Sequence, residues 1–302
     1  MKHLLKLTDL SESEILDILN LADQLKYEKK HNIEHHYLKG KSLGMIFQKS
    51  STRTRVSFET GMYQLGGQAL FLSPRDLQIG RGEPIEDTAR VLSRYLDGIM
   101  IRTFAQQEVE DLAKYGSIPI INGLTDFAHP CQVLADLMTI REYKGEFDNL
   151  KLAFVGDGNN MANSLIVGCL KVGMRVAIAC PDDHRPDAAV LEFAKAYGDK
   201  FTITNDVLKA CEGADALYTD VWASMGQEQE AEERKNVFAG YQINSDALKV
   251  AAKDAMVLHC LPAHRGEEIT ADVMDAHPEI FDEAENRLHA QKAVMVKLMA
   301  EA

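Results

Sequence analysis

A run of hydroxyl and guanidinium side chains at residues 51–55, Ser-Thr-Arg-Thr-Arg, has the chemistry of an anion-binding site. It follows the apolar segment SLGMIF and precedes the helical pattern VSFETGMYQL, so it forms the turn that opens a helix. Free backbone N–H groups and the dipole of a helix N-terminus attract an anion, and the side chains add charge-assisted hydrogen bonds. The spacing suits one phosphate group. For such a cluster taken alone, the alternative is an ordinary Ser/Thr cap with two solvated arginines.

Further polar side chains follow apolar segments elsewhere in the chain. Arg102 ends GIMIR, His129 and Gln132 lie in HPCQVLADL, and Cys260 ends AMVLHC. A structural histidine explains His129 equally well when its neighbours are ignored, and a cysteine that ends a strand is more often a core residue. The motifs around these residues therefore decide between the interpretations.

Charge and composition exclude several classes of protein. The formal net charge of -13 repels phosphate backbones, so we expect no nucleic-acid partner. Five cysteines, with no CxxC pair and no regular spacing, predict reduced thiols rather than a disulfide framework or a zinc site. The apolar runs fall short of the roughly 18 residues that a membrane span needs, and no signal-like stretch develops, so we expect a cytoplasmic protein without a membrane partner.

The chain alternates short apolar segments with amphipathic stretches, which predicts repeated βα units and parallel sheets. The first helix is predicted from Ser11 to Glu28 with a Ser11/Glu14 capping box. Other helices are predicted at residues 54–65, 89–96 and 284–299. The fold class is α/β with two doubly wound parallel-sheet domains, 1–148 and 149–283, and the helix at 284–302 packs back on the first domain.

Three motifs together, STRTR with VSFETG, HPCQVLADL and HCLPAHRGEEIT, resemble the carbamoyltransferase family shared by the aspartate and ornithine enzymes. The resemblance implies an active site in the cleft between the domains and a trimer as the smallest active assembly. It also implies that the loop LQIGRGEPIEDTARVL reaches a neighbouring subunit, where it contributes Gln78. The implied carbamoyl phosphate ligands are Ser51, Thr52, Arg53, Thr54, Gln78, Arg102, His129, Gln132, Cys260, Leu261 and Arg287.

The segment TDVWASMGQE resembles the SMG loop of the family's ornithine enzymes rather than the matching region of the aspartate or putrescine enzymes. It implies transfer of a carbamoyl group from carbamoyl phosphate to L-ornithine, with no metal and no organic cofactor. The implied ornithine ligands are Asn160, Asp220, Ser224 and Met225. The implied catalytic residues are Arg102, His129, Asp220 and Cys260. Gln48 stands where the ornithine enzymes often have Glu, and we expect it to keep the same hydrogen-bonding geometry.

Three other functions compete with this interpretation. Gly156 and Gly158 follow the strand KLAFV like the start of a dinucleotide fingerprint, but Met161 occupies the third glycine's position. A non-catalytic relative would be expected to have lost ligand residues that are present here. A carbamoyltransferase for putrescine or a modified ornithine shares the phosphate site and differs at the SMG segment.

Overall fold

The computed structural model describes residues 1–73, 75, 77, 82–223 and 230–300. Gln78, Ser224 and Met225 lie outside these residues. The chain divides into two compact units, Met1–Met138 with Asn286–Ala302, and Thr139–Glu285. The domain boundaries at residues 148 and 283, inferred from the sequence, stay predictions.

The elements of the described residues alternate as the sequence predicts. The strands are β1 Ser42–Phe47, β2 Gln68–Leu72, β3 Gly98–Arg102, β4 Ile120–Leu124, β5 Lys151–Val155, β6 Arg175–Ala179, β7 Phe201–Thr204, β8 Ala216–Thr219 and β9 Met256–His259. The helices are α1 Glu12–Lys30, α2 Thr52–Gln64, α3 Ile85–Leu92, α4 Gln106–Tyr115, α5 Pro130–Lys144, α6 Asn160–Lys171, α7 Ala188–Lys195, α8 Val207–Cys211, α9 Ala231–Val237, α10 Ser245–Val250, α11 Ala271–Ala276 and α12 Glu279–Met299. None of the helices in this part of the chain is long and apolar enough to cross a membrane.

The first unit contains a parallel sheet whose described strands run in the order β2-β1-β3-β4. The chain moves outward from β1 to β2 and then returns past β1 to β3, so the winding reverses between β1 and β3. In doubly wound sheets the crevice for a ligand opens at the carboxyl ends of the two strands where the winding reverses. Here those ends are aligned, because Phe47 pairs with Arg102.

The second unit repeats this arrangement with the described order β7-β6-β5-β8-β9, again parallel throughout. Its winding reverses between β5 and β8. The residues that follow these strands are Gly156, the first residue of GDGNN, and Asp220, the second residue of TDVW. Both units therefore place a predicted ligand segment at a reversal point, and the prediction of two doubly wound α/β domains is confirmed.

Helix α1 confirms its sequence signals. Ser11 caps it, and the Ser11 and Glu14 side chains bond each other's backbone N–H groups as in a capping box. Its apolar positions are buried in the core, as the helical spacing predicts. These buried residues are Ile15, Ile18, Leu19, Ala22 and Leu25.

The helix predicted at residues 89–96 is wrong in its bounds, since α3 spans Ile85–Leu92. Pro84 precedes the first turn, and Glu86 and Asp87 lie within it. Proline at a helix start and carboxylates in the first turn are favourable, because the N-terminal N–H groups carry partial positive charge. These local signals fix the start of the helix earlier than its apolar pattern does.

The last helix also begins earlier than predicted, at Glu279 rather than at residue 284. Several of its polar side chains are buried. The buried polar residues of α12 include Asn286, Arg287, His289, Gln291 and Lys292. Gln291 accepts a hydrogen bond from Ser57 of α2 at 2.6 Å, and Lys292 donates to Gln64 of α2 at 2.9 Å. The helix is therefore held by polar contacts as well as by its apolar stripe.

Candidate active site

The anion site predicted at residues 51–54 lies at the N-terminus of α2. Ser51 is the N-cap residue, and its hydroxyl oxygen accepts a hydrogen bond from the backbone N–H of Thr54 at 3.2 Å. The same hydroxyl donates to Thr54 Oγ1 at 3.0 Å. The first N–H groups of any α-helix have no intrahelical acceptor, so this turn offers donors and a positive dipole end to an anion.

Arg287 joins three segments that are far apart in the sequence. Its Nη2 donates to Thr54 Oγ1 at 2.7 Å, and its Nη1 donates to Gln132 Oε1 at 2.9 Å. Gln132 in turn donates from Nε2 to Asp136 Oδ1 at 2.8 Å. All four side chains are buried. A guanidinium held at two of its nitrogens is fixed in orientation, so its charge is already in place beside the α2 turn.

His129 lies in a field of positive charge. Its side chain is buried, and burial first, then the guanidiniums of Arg287, Arg102 and Arg53, hold its pKa well below the ordinary value of 6.5. The imidazole is therefore neutral at pH 7. A neutral imidazole has one N–H donor and one nitrogen acceptor, so His129 is suited to polarise a carbonyl group by hydrogen bonding rather than as a charged acid.

Arg102 and Arg287 are 8% and 5% exposed in a chain of net charge -13. The Thr54 hydroxyl and the Gln132 amide that accept from Arg287 are uncharged groups. Buried guanidiniums attract anions strongly because little water screens their charge, so this region favours an anionic ligand. The first unit thus contains a local positive site within an acidic protein.

Two neighbours of this turn, Gln48 and Lys49, have side-chain partners on later segments of the chain. Lys49 is 6% exposed, forms an ion pair with Asp126 and lies 4.4 Å from the centre of the Phe104 ring. Gln48 donates from its side chain to Glu108 at 3.1 Å. Since these partners lie on later segments, only the tertiary structure identifies them.

The carboxylate of Asp220, directly after β8, is the centre of the predicted ornithine half-site. Asp220 Oδ1 accepts hydrogen bonds from the Val221 backbone N–H at 2.8 Å and from the Cys260 thiol at 3.1 Å. Oδ2 accepts from Asn159 Nδ2 at 2.8 Å. The structure therefore brings Asp220 and Cys260 together, as the resemblance implies, and it fixes the orientation of the carboxylate from both sides.

Asn159 is a positioning residue that sequence reasoning missed. Its side-chain oxygen caps α6 by accepting from the N–H groups of Met161 and Ala162 at 2.9 and 3.2 Å, while its Nδ2 holds Asp220. The predicted ligand Asn160 is the first residue of the helix that Asn159 caps. One amide therefore orders both the helix start and the carboxylate.

The turn that carries Cys260 and Leu261 is built by buried neighbours. Leu261 has φ 58°, in the left-handed region that side chains rarely adopt, and its N–H donates to His259 Nδ1 at 2.9 Å. Because Nδ1 accepts, Nε2 carries a ring proton, and Nε2 lies 3.1 Å from Glu268 Oε1. The His259–Glu268 pair therefore stabilises the turn through the Leu261 N–H.

A second buried pair flanks the segment that contains Ser224 and Met225. Arg234 of α9 forms an ion pair with Asp157, and its Nε donates to the Trp222 carbonyl oxygen at 2.5 Å. Burial raises the pKa of the Asp157 carboxyl, and Arg234 opposes that shift. The pair therefore links the GDGNN segment to residues on both sides of 224–229.

The structure brings several of the predicted ligand residues together. Ser51, Thr54, Gln132 and Arg287 are connected by hydrogen bonds, and Arg53, Arg102 and His129 share one electrostatic environment. In the second unit Asp220 and Cys260 are in contact, and Asn160 adjoins Asn159. The ligand roles of these residues stay predictions.

Two doubly wound domains, each with polar groups where its winding reverses, define a two-domain α/β enzyme. Residues 2–142 match the family model described as "Aspartate/ornithine carbamoyltransferase, carbamoyl-P binding domain", and residues 148–298 match "Aspartate/ornithine carbamoyltransferase, Asp/Orn binding domain". The chain belongs to the aspartate/ornithine carbamoyltransferase family and is a carbamoyltransferase. The dinucleotide interpretation of Gly156 and Gly158 is therefore wrong.

Several relatives match this chain over almost its whole length. An ornithine carbamoyltransferase of Oceanobacillus iheyensis is 56% identical over 99% of this chain and 95% of its own. The solved ornithine carbamoyltransferase of Pyrococcus furiosus has a TM-score of 0.95 at 53% identity, covering 100% of this chain and 98% of that one. The anabolic enzyme of Campylobacter jejuni has a TM-score of 0.94 at 41% identity, covering both chains completely.

Proposed function

We propose that this chain is an ornithine carbamoyltransferase, which converts carbamoyl phosphate and L-ornithine into L-citrulline and phosphate. The geometric observation that carries the proposal is the Arg287 bridge between Thr54 of the STRTR turn and Gln132 of the HPCQ turn. It assembles a donor-rich, buried site of the kind that a phosphorylated substrate requires. The choice of ornithine is supported by relatives of that name at more than half identity over nearly the full length.

In this mechanism the first unit binds carbamoyl phosphate. The α2 N-terminus, with Ser51, Thr52, Arg53 and Thr54, takes the phosphate oxygens, and Arg287 contributes a fixed positive charge. Gln78 adds a ligand from a neighbouring subunit. Tight charge-assisted hydrogen bonds to the phosphate also stabilise it as a leaving group, because negative charge grows there as the bond to the carbamoyl carbon breaks.

Arg102, His129 and Gln132 act on the carbamoyl carbonyl, and Cys260 and Leu261 also contact the carbamoyl group. When an amine attacks the carbonyl carbon, negative charge develops on its oxygen. Donors fixed in advance stabilise that charge more than they stabilise the ground state. The lowered pKa of His129 suits this role, since a neutral imidazole donates a hydrogen bond to the carbonyl oxygen without adding a further positive charge beside the guanidiniums.

The second unit binds ornithine, with Asn160 at its amino-acid end and Asp220, Ser224 and Met225 along the molecule. The side-chain amine has an ordinary pKa near 10, so it is mostly protonated and non-nucleophilic at neutral pH. Asp220 and Cys260 orient the amine and favour loss of its proton. The neutral amine then attacks the carbamoyl carbon, the bond from carbon to phosphate oxygen breaks, and the departing phosphate accepts a proton.

The working assembly that we propose is a homotrimer or a multiple of trimers in the cytoplasm. The proposed reaction places the protein in arginine metabolism, as an amino-acid biosynthetic enzyme when it runs toward citrulline. All five cysteines are free thiols, and four are buried, which is consistent with a reducing compartment.

The test is citrulline formation from carbamoyl phosphate and ornithine, run beside putrescine, aspartate and acetylornithine. Arg53→Ala should abolish the reaction. Arg55→Ala is the matched control, because Arg55 lies on the same helix but pairs with Glu59 at 3.0 Å and stacks on Phe71. Preference for putrescine would keep the phosphate half of the proposal and refute the ornithine half, and inactivity with every amine would refute both.

A further inference from the structure

Three potential metal ligands lie together in the second unit, outside the half-site around Asp220. His264 Nδ1 is 3.8 Å from Glu267 Oε2 and 3.9 Å from Glu268 Oε2, and all three atoms lie within 4.8 Å of one another. Ligand atoms around a tetrahedral zinc ion are about 3.4 Å apart, given metal–ligand distances near 2.0–2.2 Å. Small side-chain rotations would bring the three atoms to that spacing.

Glu268 supplies the second observation that indicates a ligand. Its side chain is 0% exposed, and its Oε2 makes no hydrogen bond with any part of the chain that the structure describes. Its Oε1 is fully engaged, since it lies 3.1 Å from His259 Nε2 and accepts from the His264 backbone N–H at 2.5 Å. An ionised carboxylate oxygen that is buried without a donor is costly, and a cation removes that cost.

The other two ligands are accessible and held by neighbours. The His264 side chain is 49% exposed, so an ion can enter from solvent. Glu267 keeps Oε2 for the site because Lys235 Nζ contacts its other oxygen at 3.1 Å. Outer contacts of this kind orient metal ligands and tune their affinity.

We propose that His264, Glu267 and Glu268 form a site for a divalent transition metal, of which Zn²⁺ fits best. One imidazole and two carboxylates are ligands that Zn²⁺ accepts, and together with a water they give four-coordination. Two carboxylates neutralise the charge of the ion. The bound metal is coupled to the Cys260–Leu261 turn, because Glu268 holds His259 and His259 accepts from the Leu261 N–H.

Zn²⁺ binding to the full chain, measured by calorimetry under reducing conditions, tests the proposal. Asp220, His259 and Cys260 also offer ligand atoms within 4.8 Å of one another, so the titration is made in a Cys260→Ser background to weaken that competing group. Adding His264→Ala or Glu267→Gln should weaken Zn²⁺ binding at least about tenfold. His36→Ala, an exposed histidine in the first unit, should leave it unchanged.

Circular dichroism of each variant shows whether it is folded. If His264→Ala does not fold, Glu267→Gln replaces it as the test variant. Zn²⁺ that raises the melting temperature of the Cys260→Ser protein, but not of its Glu267→Gln derivative, would support the site independently. Two results would overturn the proposal: loss of all Zn²⁺ binding in Cys260→Ser alone, or binding there that neither His264→Ala nor Glu267→Gln weakens.

Discussion

Arg287, a proposed carbamoyl phosphate ligand, connects the STRTR turn to the HPCQ turn through its guanidinium group. Two of its nitrogens bond Thr54 and Gln132, and a lysine ammonium at the same position is a single point donor. We therefore expect Arg287→Lys to weaken carbamoyl phosphate binding at least about tenfold, since each charge-assisted hydrogen bond contributes roughly 1.5–3 kcal/mol. Binding is measured by isothermal calorimetry with carbamoyl phosphate. Arg265→Lys, at an exposed arginine paired with Asp275, is the control and should bind normally.

The two roles of Asn159, as helix cap and as partner of Asp220, can be separated by comparing stability with activity. Asn159→Ala removes the α6 cap and the Asp220 hydrogen bond, whereas Asn244→Ala removes a cap of the same geometry, 3.0 and 3.1 Å, at α10. Each variant should lose about 1 kcal/mol of unfolding free energy in urea. Only Asn159→Ala should lower kcat/KM for ornithine, by about tenfold or more, because Asp220 loses a fixed partner. Equal activity in the two variants would contradict the positioning role.

The residues that sequence could predict are those whose side chains mark a motif by themselves. Ser51 and the arginines near it signal an anion site through their types and their place before a helix. Asn159 and Arg234 do not, because their roles depend on Asp220 and Asp157, which folding brings to them from distant segments. The residues that sequence reasoning misses are therefore mainly those that position other side chains.

At the scale of elements, Gly158 shows why the loop before α6 cannot tolerate a side chain. A Cβ there would lie 2.3 Å from the backbone of Arg185 and of Pro186, and backbone atoms cannot give way cheaply. Gly158→Ala should destabilise the fold by about 3 kcal/mol or more and raise the KM for ornithine, because Asn159 is displaced. Urea unfolding and steady-state kinetics measure both effects.

Gly173→Ala is the control for Gly158→Ala, because it introduces backbone strain without steric crowding. Gly173 has φ 91°, and apart from its chain neighbours no atom in the described part of the chain lies within 4 Å of a Cβ built on it. The Gly173→Ala variant should lose only about 1–2 kcal/mol of unfolding free energy, because alanine disfavours this left-handed conformation. A Gly158 variant no less stable than the Gly173 variant would show that the loop relaxes.

Helix α12 carries a buried lysine whose titration affects stability. Burial, followed by repulsion from Lys29, lowers the pKa of Lys292 from 10.5 to about 8. Between these values the unfolded chain binds more protons than the folded one, so this group makes stability rise with pH. We therefore compare the unfolding free energy of Lys292→Met with that of the natural chain. The variant's value minus the natural chain's should decrease from pH 7 to pH 10, by on the order of 1 kcal/mol.

The groups around Lys292 define the control. His35 Nε2 and Gln64 Oε1 lie 2.7 and 2.9 Å from its ammonium nitrogen, and Glu28 opposes the lowering of its pKa. Lys297→Met replaces an exposed lysine of the same helix and should show no such trend, so other titrating groups cancel in the comparison. Denaturant unfolding at several pH values supplies the data.

The same helix shows what sequence patterns miss at this scale. Its existence follows from the spacing of apolar residues, but the burial of Lys292 and Gln291 does not, since their partners lie on α2. The apolar pattern places the start of α3 too late, because Pro84 and the carboxylates that follow it determine where the first turn begins. Strand order is also hidden in the sequence, because both reversal points depend on which strands pair.

For the whole molecule, the contrast between net charge and local charge has a consequence for binding. A chain of net charge -13 repels an anionic substrate at long range, and the guanidiniums of Arg53, Arg102 and Arg287 attract it only near the site. Salt screens long-range repulsion with a Debye length of roughly 10 Å at 0.1 M, while buried contacts are screened less. In the proposed function, specificity for carbamoyl phosphate therefore depends on close contacts rather than on long-range attraction by the net charge.

The proposed trimer can be tested through its shared site. If Gln78 acts in a neighbouring subunit, then Arg53→Ala and Gln78→Ala chains are each inactive alone but complement each other when mixed. Random hybrid trimers would regain about a quarter of the native sites, because a site is intact when a chain with Arg53 borders a chain with Gln78. Citrulline production after unfolding and refolding the mixture measures this. Activity that stays at the level of the separate variants would mean that each subunit uses its own Gln78.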